Sequence, residues 1–414
     1  MFNNELMKEI RERFAFVEEC PYQGKRIFFE NAGGALTLNS VVKKSKELAA
    51  VPDNQGRDNP ASHGLIDIIN KSKSDMRAFF GAKEGPVFVG ESGTELLFRL
   101  ISSAILSAPK GSDVVGSTIE HPASVSACAR WAEVAGANFI RVAHNDETGS
   151  VSADDYRPYI TKNTKVATIL HTSPVTGVAN DVKSIAKVIR EISPDCIIIV
   201  DGIQHAAHGA LSVDEYGIDG YVISPYKVFS RHGYGVAWVS PRLSLMPHNR
   251  LIGSPEDQWE LGTRDTGSYA TFSEVVGYFN WLGGHFSNSG DLRERLIAAG
   301  KAITLHEKDI TDAMINGVGD QRGLRDMEKI TIIGGADNPA RKGLVSIVVN
   351  GMESADVVSK LREKGIRTHV RKDDYYSGNV LIPLGFNSAV RVSMCHYNNI
   401  EEVARFLKVM DNEL

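Results

Sequence analysis

The chain predicts an α/β protein: a mainly parallel sheet covered by helices on both faces, joined to a smaller α+β domain. Three observations predict it. Strand-like and helix-like segments alternate between residues 75 and 240, the pattern of strands joined through crossover helices. Some strand-like runs are apolar at every position, as in Cys196-Ile-Ile-Ile-Val200, which marks strands buried on both faces. Beyond residue 270 the strands thin out and long helices stand between them, the texture of an α+β unit.

Taken in order, residues 86–89 read as a strand, 95–105 as a helix, 113–116 as a strand and 123–135 as a helix. Strands at 139–142 and 166–170 follow, then a helix at 182–192 with Val182, Ile185, Val188 and Ile189 on one face. The run 196–200 leads into Asp201, the run within 219–227 ends at Lys227, and 234–239 starts soon after. In the second unit, 272–282, 292–315, 354–364 and 399–409 read as helices, and 329–333, 344–349 and 389–393 as strands. The expected organisation is an N-terminal segment 1–30 packed with the small domain, a large domain 31–270 and a small C-terminal domain 271–414. Residues 52–64 are the longest polar, turn-rich stretch, expected as a surface loop that could border a substrate entrance.

A length of 414 residues is too great for one small core, which supports two domains. A formal net charge of -5 argues against a general nucleic-acid binder or a basic membrane-surface protein. Cys20, Cys128, Cys196 and Cys395 are scattered, with no C-x-x-C pair. That spacing indicates neither a zinc site nor a disulfide framework and fits a reducing, cytoplasmic setting. The N-terminus lacks an apolar signal core, and no run approaches about 18 apolar residues, so a protein that does not enter the membrane is expected.

The chemistry is concentrated at strand ends, where ligands of such sheets bind. Lys227 closes a core strand and Asp201 closes another. Together they suggest a pyridoxal phosphate (PLP) site, the lysine forming a Schiff base and the aspartate facing the pyridine nitrogen to keep it protonated. Gln204 would reach the coenzyme's phenolic oxygen. Glu91-Ser-Gly-Thr-Glu95 opens a helix after a strand, so the free N–H groups of this segment, which includes Gly93, would meet the phosphate, with the Thr94 hydroxyl and Ser224 as further ligands. His121, at a strand-to-helix junction, would stack on the ring and handle protons. Each residue alone also fits an ordinary cap, turn or snorkelling role. Their order along one α/β domain is what points to PLP.

These residues lie in motifs that resemble the class V PLP-dependent aminotransferases, in their cysteine desulfurase-like branch. The motifs are Phe28-Phe-Glu-Asn-Ala-Gly-Gly34, Ser92-Gly-Thr-Glu95, Glu120-His121, Val200-Asp-Gly-Ile-Gln204, Ser224-Pro-Tyr-Lys227, Glu260-Leu-Gly-Thr263, Val390-Arg-Val-Ser393 and Tyr397-Asn-Asn-Ile-Glu-Glu402. The resemblance implies PLP-dependent fold type I, with a mainly parallel seven-stranded sheet in the large domain, and a homodimer with active sites at the interface. It implies that Tyr226 lies at the cofactor, that Thr263 reaches the neighbouring subunit's phosphate, and that Arg391, with Asn31, meets the substrate. A guanidinium fork suits a carboxylate.

Two departures shape the expected reaction. The family's nucleophilic cysteine falls on a loop that aligns with 365–378, which has none; Cys395 lies past Arg391 and reads as structural. Pro174 stands where the family commonly has asparagine. The expected activity is therefore a desulfurase-like C–S lyase working by β-elimination without a protein thiol. Transamination, epimerisation and a non-catalytic binding role are the alternatives. Arg367, His369 and Arg371 occupy the cysteine-free loop, and Arg371 is expected to meet a second anionic group on the substrate.

Overall fold

The computed structural model describes residues 1–413. Its main sheet has seven strands, in the order Val87–Gly90, Gly235–Val239, Gly220–Ile223, Ile197–Asp201, Thr164–Leu170, Asp113–Ser117 and Asn138–Val142. Gly235–Val239 runs antiparallel to both neighbours, and the pairings from Gly220–Ile223 to Asn138–Val142 are parallel. The apolar runs are explained by burial on both faces. In Ile197–Asp201, Ile198 and Val200 enter one core while Ile197 and Ile199 enter another. Helices Gly93–Ser107 and Pro122–Ala135 cover the second face through Leu96, Leu97, Leu100 and Ala127. Helices Pro60–Phe80, Val182–Ile192 and Thr266–Gly284 cover the first through Met76, Ile185 and Phe272.

The smaller sheet is antiparallel, in the order Ile330–Ile332, Leu344–Val349, Ser388–Ser393 and His369–Lys372. Helices Ser354–Glu363 and Ile400–Glu413 supply Val357, Leu361, Val403 and Phe406 to its core. Ile27 and Phe29 join this core, whereas Leu6, Ile10 and Phe14 pack with the core of the large sheet. The boundary expected at 270 falls inside helix Thr266–Gly284. Among the described residues no helix is long and apolar enough to cross a membrane.

Two segments differ from the sequence expectation. Residues 365–378 are not a plain loop: Ile366–Arg367 pairs in parallel with Ile27–Phe28, and His369–Lys372 is an edge strand of the small sheet. Val370 is the one aliphatic side chain in that edge strand, so its identity comes from the partner strand rather than from local pattern. Residues 52–64 are only partly a loop, because Pro60 opens helix Pro60–Phe80. The Asn59 side chain caps it, accepting from the Ser62 N–H at 2.9 Å. Asparagine followed by proline at the first helical position is a start signal inside an otherwise turn-like composition.

Candidate active site

The strand Gly220–Ile223 runs into Ser224 and a single tight turn, Pro225–Lys227. Backbone bonds lock this turn: Lys227 N–H to Ser224 O at 2.9 Å, Val228 N–H to Pro225 O at 2.8 Å and Ser230 N–H to Pro225 O at 3.0 Å. Phe229 takes a left-handed φ of 66°, an unusual conformation for a bulky residue. Its ring is fully buried against Phe14, Tyr278 and Phe279, so core packing holds the strained residue two positions from the lysine.

Lys227 is 8% exposed, and its Nζ donates to Gln204 Oε1 at 3.0 Å. Burial pulls the ammonium pKa down to about 7; Arg391 and Arg371 push the same way and Asp201 partly opposes them. A lysine poised there is a usable base near neutrality. Asp201 ends the adjacent parallel strand. It is 2% exposed, and its Oδ1 accepts from the Ile203 N–H at 3.0 Å. Burial raises its carboxyl to about 6, against the pull of the Ile203 N–H and Lys227.

The close approach of helix Gly93–Ser107 to Ser224 depends on glycines. Ser92 caps helix Gly93–Ser107, its Oγ accepting from the Glu95 N–H at 3.1 Å. A Cβ at Gly93 would collide with Ser224 Oγ and the Ile203 side chain, and one at Gly235 would collide with the Ser92–Gly93 backbone. Only bare backbone lets the helix N-terminus, Ser224 and the lysine strand close on one spot. Thr94 sits exposed on the first turn. A buried lysine, a buried strand-end carboxylate and a helix N-terminus beside a serine together match the aldehyde, the ring nitrogen and the phosphate of PLP, so the residues present fit that cofactor.

His121 caps helix Pro122–Ala135 through its own ring: Nδ1 accepts from the Ala123 N–H at 3.1 Å. Its Nε2 meets the Tyr376 hydroxyl, with the rings perpendicular at 4.8 Å. Burial, then Lys227 and Arg371, drop the imidazole pKa to about 3, so it is neutral at physiological pH. Tyr226 lies beside the lysine, stacked on His232 at 4.3 Å and against Gly34.

Arg391 is 3% exposed and projects from Ser388–Ser393. Its Nη1 donates to the Pro174 carbonyl oxygen at 3.1 Å, so proline at this site contributes through its backbone. Gly33 borders the guanidinium, a Cβ there coming within 3.6 Å of Nη2. The Asn31 side chain is committed to architecture. Its Nδ2 donates to Ser393 O at 2.8 Å and Phe28 O at 3.1 Å, while its Oδ1 accepts from Tyr397. Thr263 lies exposed on the segment before helix Thr266–Gly284. Of the basic residues in 365–378, Arg367 and His369 ion-pair with Glu30, at 2.6 and 3.2 Å. Arg371 forms no ion pair among the described residues.

Sequence reasoning missed Tyr376, the Pro174 carbonyl and Gly33. Tyr376 lay in a segment read for what it lacked, a cysteine. Gly33 and the Pro174 carbonyl act through backbone, which side-chain chemistry does not flag.

Fold and site together define a PLP-dependent enzyme of fold type I, and the aminotransferase class-V family model matches residues 27–268 and 303–406: the chain belongs to that family. Within it, the chain falls in the cysteine desulfurase-like branch. It is 25% identical over 98% of both chains to the aminotransferase-like protein FGM3 of Gibberella zeae. It is 24% identical to the cysteine desulfurase-like protein ustD of Aspergillus flavus, over 94% of this chain and 87% of that protein. Among solved structures, the apo cysteine desulfurase of Thermococcus onnurineus superposes with a TM-score of 0.82 at 22% identity, covering 99% of this chain and 98% of that one. The cysteine desulfurase CsdA of Escherichia coli gives a TM-score of 0.80 at 19% identity, with the same coverage.

Proposed function

We propose that the protein is a homodimeric PLP enzyme that cleaves a bond of an α-amino acid, as a desulfurase-like C–S lyase acting by β-elimination without a protein thiol. The observation that supports it most strongly is the buried Lys227 amine, brought to a pKa of about 7 beside Gln204 and within the fields of Asp201 and Arg391. When bound, the cofactor supplies an electron-accepting ring that delocalises the pair left at the substrate's Cα. The chain's residues do the rest. Arg391 holds the substrate α-carboxylate, its guanidinium already anchored on the Pro174 carbonyl. Lys227 Nζ removes the α-proton, aimed by Gln204. Asp201 keeps a proton on the ring nitrogen, and neutral His121 presents a flat face and an N–H rather than a charge. Gly93, Thr94 and Ser224 hold the phosphate, and Thr263 reaches the neighbouring subunit's cofactor.

An amino-acid screen tests this, following pyruvate and sulfide release together with conversion of the cofactor to its amine form. Pyruvate with sulfide supports elimination; cofactor conversion without them supports transamination instead. An absorbance band near ~420 nm in protein loaded with PLP, erased by Lys227→Ala, is expected. No band in loaded protein would leave only a binding role for the fold.

A further inference from the structure

His208, Glu307 and Cys395 converge at a second place in the molecule. They come from three separate segments: the turn beyond Gln204, the middle of helix Leu292–Asn316, and the residues just past strand Ser388–Ser393. One donor atom of each, an imidazole nitrogen, a carboxylate oxygen and a thiol sulfur, lies within 4.8 Å of the other two. All three residues are buried, at 5%, 1% and 1% exposure. The backbone around them is held. His208 N–H bonds His205 O at 2.9 Å, and the His208 carbonyl accepts from Thr304 Oγ1, on the helix that carries Glu307, at 2.8 Å. The Cys395 N–H donates to Asn398 Oδ1 at 2.9 Å. Gly343 passes beside the carboxylate, a Cβ there coming within 3.3 Å of Glu307 Oε2.

A glutamate is rarely this buried unless it is paired, and Glu307 is only half paired. Its Oε2 accepts from His208 Nδ1 at 2.7 Å, while Oε1 is buried with no partner. Lys342 feels the charge of the carboxylate but forms no ion pair with it among the described residues. An orphaned carboxylate oxygen inside a protein is costly, and an ion or a water is what relieves it. The neighbours here are a sulfur and an imidazole, donors that suit a transition metal rather than magnesium or calcium.

We infer that His208, Glu307 and Cys395 bind one divalent transition-metal ion of the zinc class. The site shares no residue with the PLP site. A thiolate and a carboxylate balance the two positive charges, a neutral imidazole is the third ligand, and a water fills the fourth position. Bonds of ~2.0–2.3 Å put tetrahedral donor atoms roughly 3.3–3.8 Å apart, so the His208–Glu307 pair opens by about half an ångström and the sulfur closes by no more than about one. As the metal–sulfur bond forms, the Cys395 thiol releases its proton to solvent. The His208 proton moves from Nδ1 to Nε2, which frees the lone pair that bonds the metal. The bound ion joins the turn that follows Gln204 to the end of the strand that bears Arg391. Cysteine spacing carries no zinc motif for this site, because each donor comes from a different segment.

The test uses PLP-loaded full-length protein carrying C20S, which removes the one partly exposed thiol. Zinc binding is read by calorimetry with Zn²⁺ and by metal content after dialysis, and the ligands by X-ray absorption at the zinc edge. About one equivalent should be retained, with a single sulfur at ~2.3 Å and nitrogen or oxygen at ~2.0–2.2 Å. Zn²⁺ should raise Tm by about 3 °C or more. Adding C395S should remove the sulfur shell, and C395S, E307Q and H208N should each weaken binding at least about tenfold. E307Q keeps the side-chain shape, and far-ultraviolet dichroism checks that each variant is folded. Absence of saturable binding in the C20S protein overturns the inference, and so does bound zinc without a sulfur shell; neither result needs a variant at the site. Unchanged affinity in folded C395S or E307Q overturns it as well, since the zinc then sits on other residues.

Discussion

His121 and Tyr376 are joined by a hydrogen bond between the imidazole Nε2 and the phenol oxygen. The direction of that bond follows from the other ring nitrogen. Nδ1 accepts from the Ala123 N–H, so in the neutral ring the proton sits on Nε2, which donates to Tyr376. The phenol keeps its own proton for a different acceptor, and a group from the cysteine-free segment is thereby wired to the imidazole. Tyr376→Phe should let water reach His121 and relax the burial that holds its pKa at about 3. The sign is upward, toward the ordinary histidine value, so the kcat/KM profile should gain an acid limb, with kcat down on the order of tenfold or more. A pH–rate profile with imidazole NMR reads this, and an unmoved histidine would show that Tyr376 does not control it.

Asp201 makes a linkage prediction. Its carboxyl is raised to about 6 by burial, so between pH ~4 and ~6 the folded chain keeps a proton that the unfolded chain has lost. Stability from this group falls as pH rises through that window, and the full penalty stands above it. Asp201→Asn in cofactor-free protein should match the parent near pH 4 and exceed it near pH 7.5, by up to roughly 2–3 kcal/mol. Thermal unfolding at the two pH values measures the difference. The same variant, loaded with PLP, should lose about a hundredfold in turnover, because no charge holds the ring-nitrogen proton. A change that stabilises the empty protein and disables the loaded one is the signature of a functional carboxylate.

Gly93 tests the proposed phosphate site. Gly93→Ala places a methyl into Ser224 Oγ and the Ile203 side chain, and overpacking of this kind costs about 1–3 kcal/mol. The expected outcome is lower PLP retention on dialysis, with the far-ultraviolet dichroism unchanged. Retention equal to the parent would mean that the phosphate binds elsewhere.

Legibility in the sequence followed where each signal lives. Ile197–Asp201 was readable because burial on both faces demands apolar residues at every position, and Asp201 stands out against them. The positions of Lys227, Gln204 and Ser224 were readable because polar side chains at strand ends stand out against apolar strands. The strand His369–Lys372 was not, since an edge strand with polar side chains carries no local period and exists through its pairing with Ser388–Ser393. For the same reason Arg371 was expected on a loop, and only cross-strand register shows it to be a neighbour of Arg391. The engagement of Asn31 with Ser393 and Tyr397 joins residues more than 360 positions apart, which no local pattern encodes.

The thiols give the most direct check on chemistry without a nucleophilic cysteine. Cys128, Cys196 and Cys395 are buried, and burial raises each thiol, the first two to about 12. Cys395 is packed with His208 and Glu307, their polar atoms all within 4.8 Å of one another. His208 Nδ1 and Glu307 Oε2 bond at 2.7 Å. A thiol so placed is a poor nucleophile, because the thiolate is the reactive form. Cys20 is partly exposed, and its pKa is lowered chiefly by the backbone at Tyr22. It is also on the short ribbon Glu19–Cys20 and Gly24–Lys25, not on the strand ends that hold Lys227 and Asp201. Iodoacetamide should therefore label Cys20 first, as mass spectrometry would show, and leave turnover intact. Cys395→Ala should cost about 1–2 kcal/mol in stability through lost packing, with kcat within about twofold of the parent for whichever amino acid the screen identifies. Loss of turnover in step with alkylation of any one cysteine would place a thiol back in the reaction and remove the case for β-elimination by Lys227 alone.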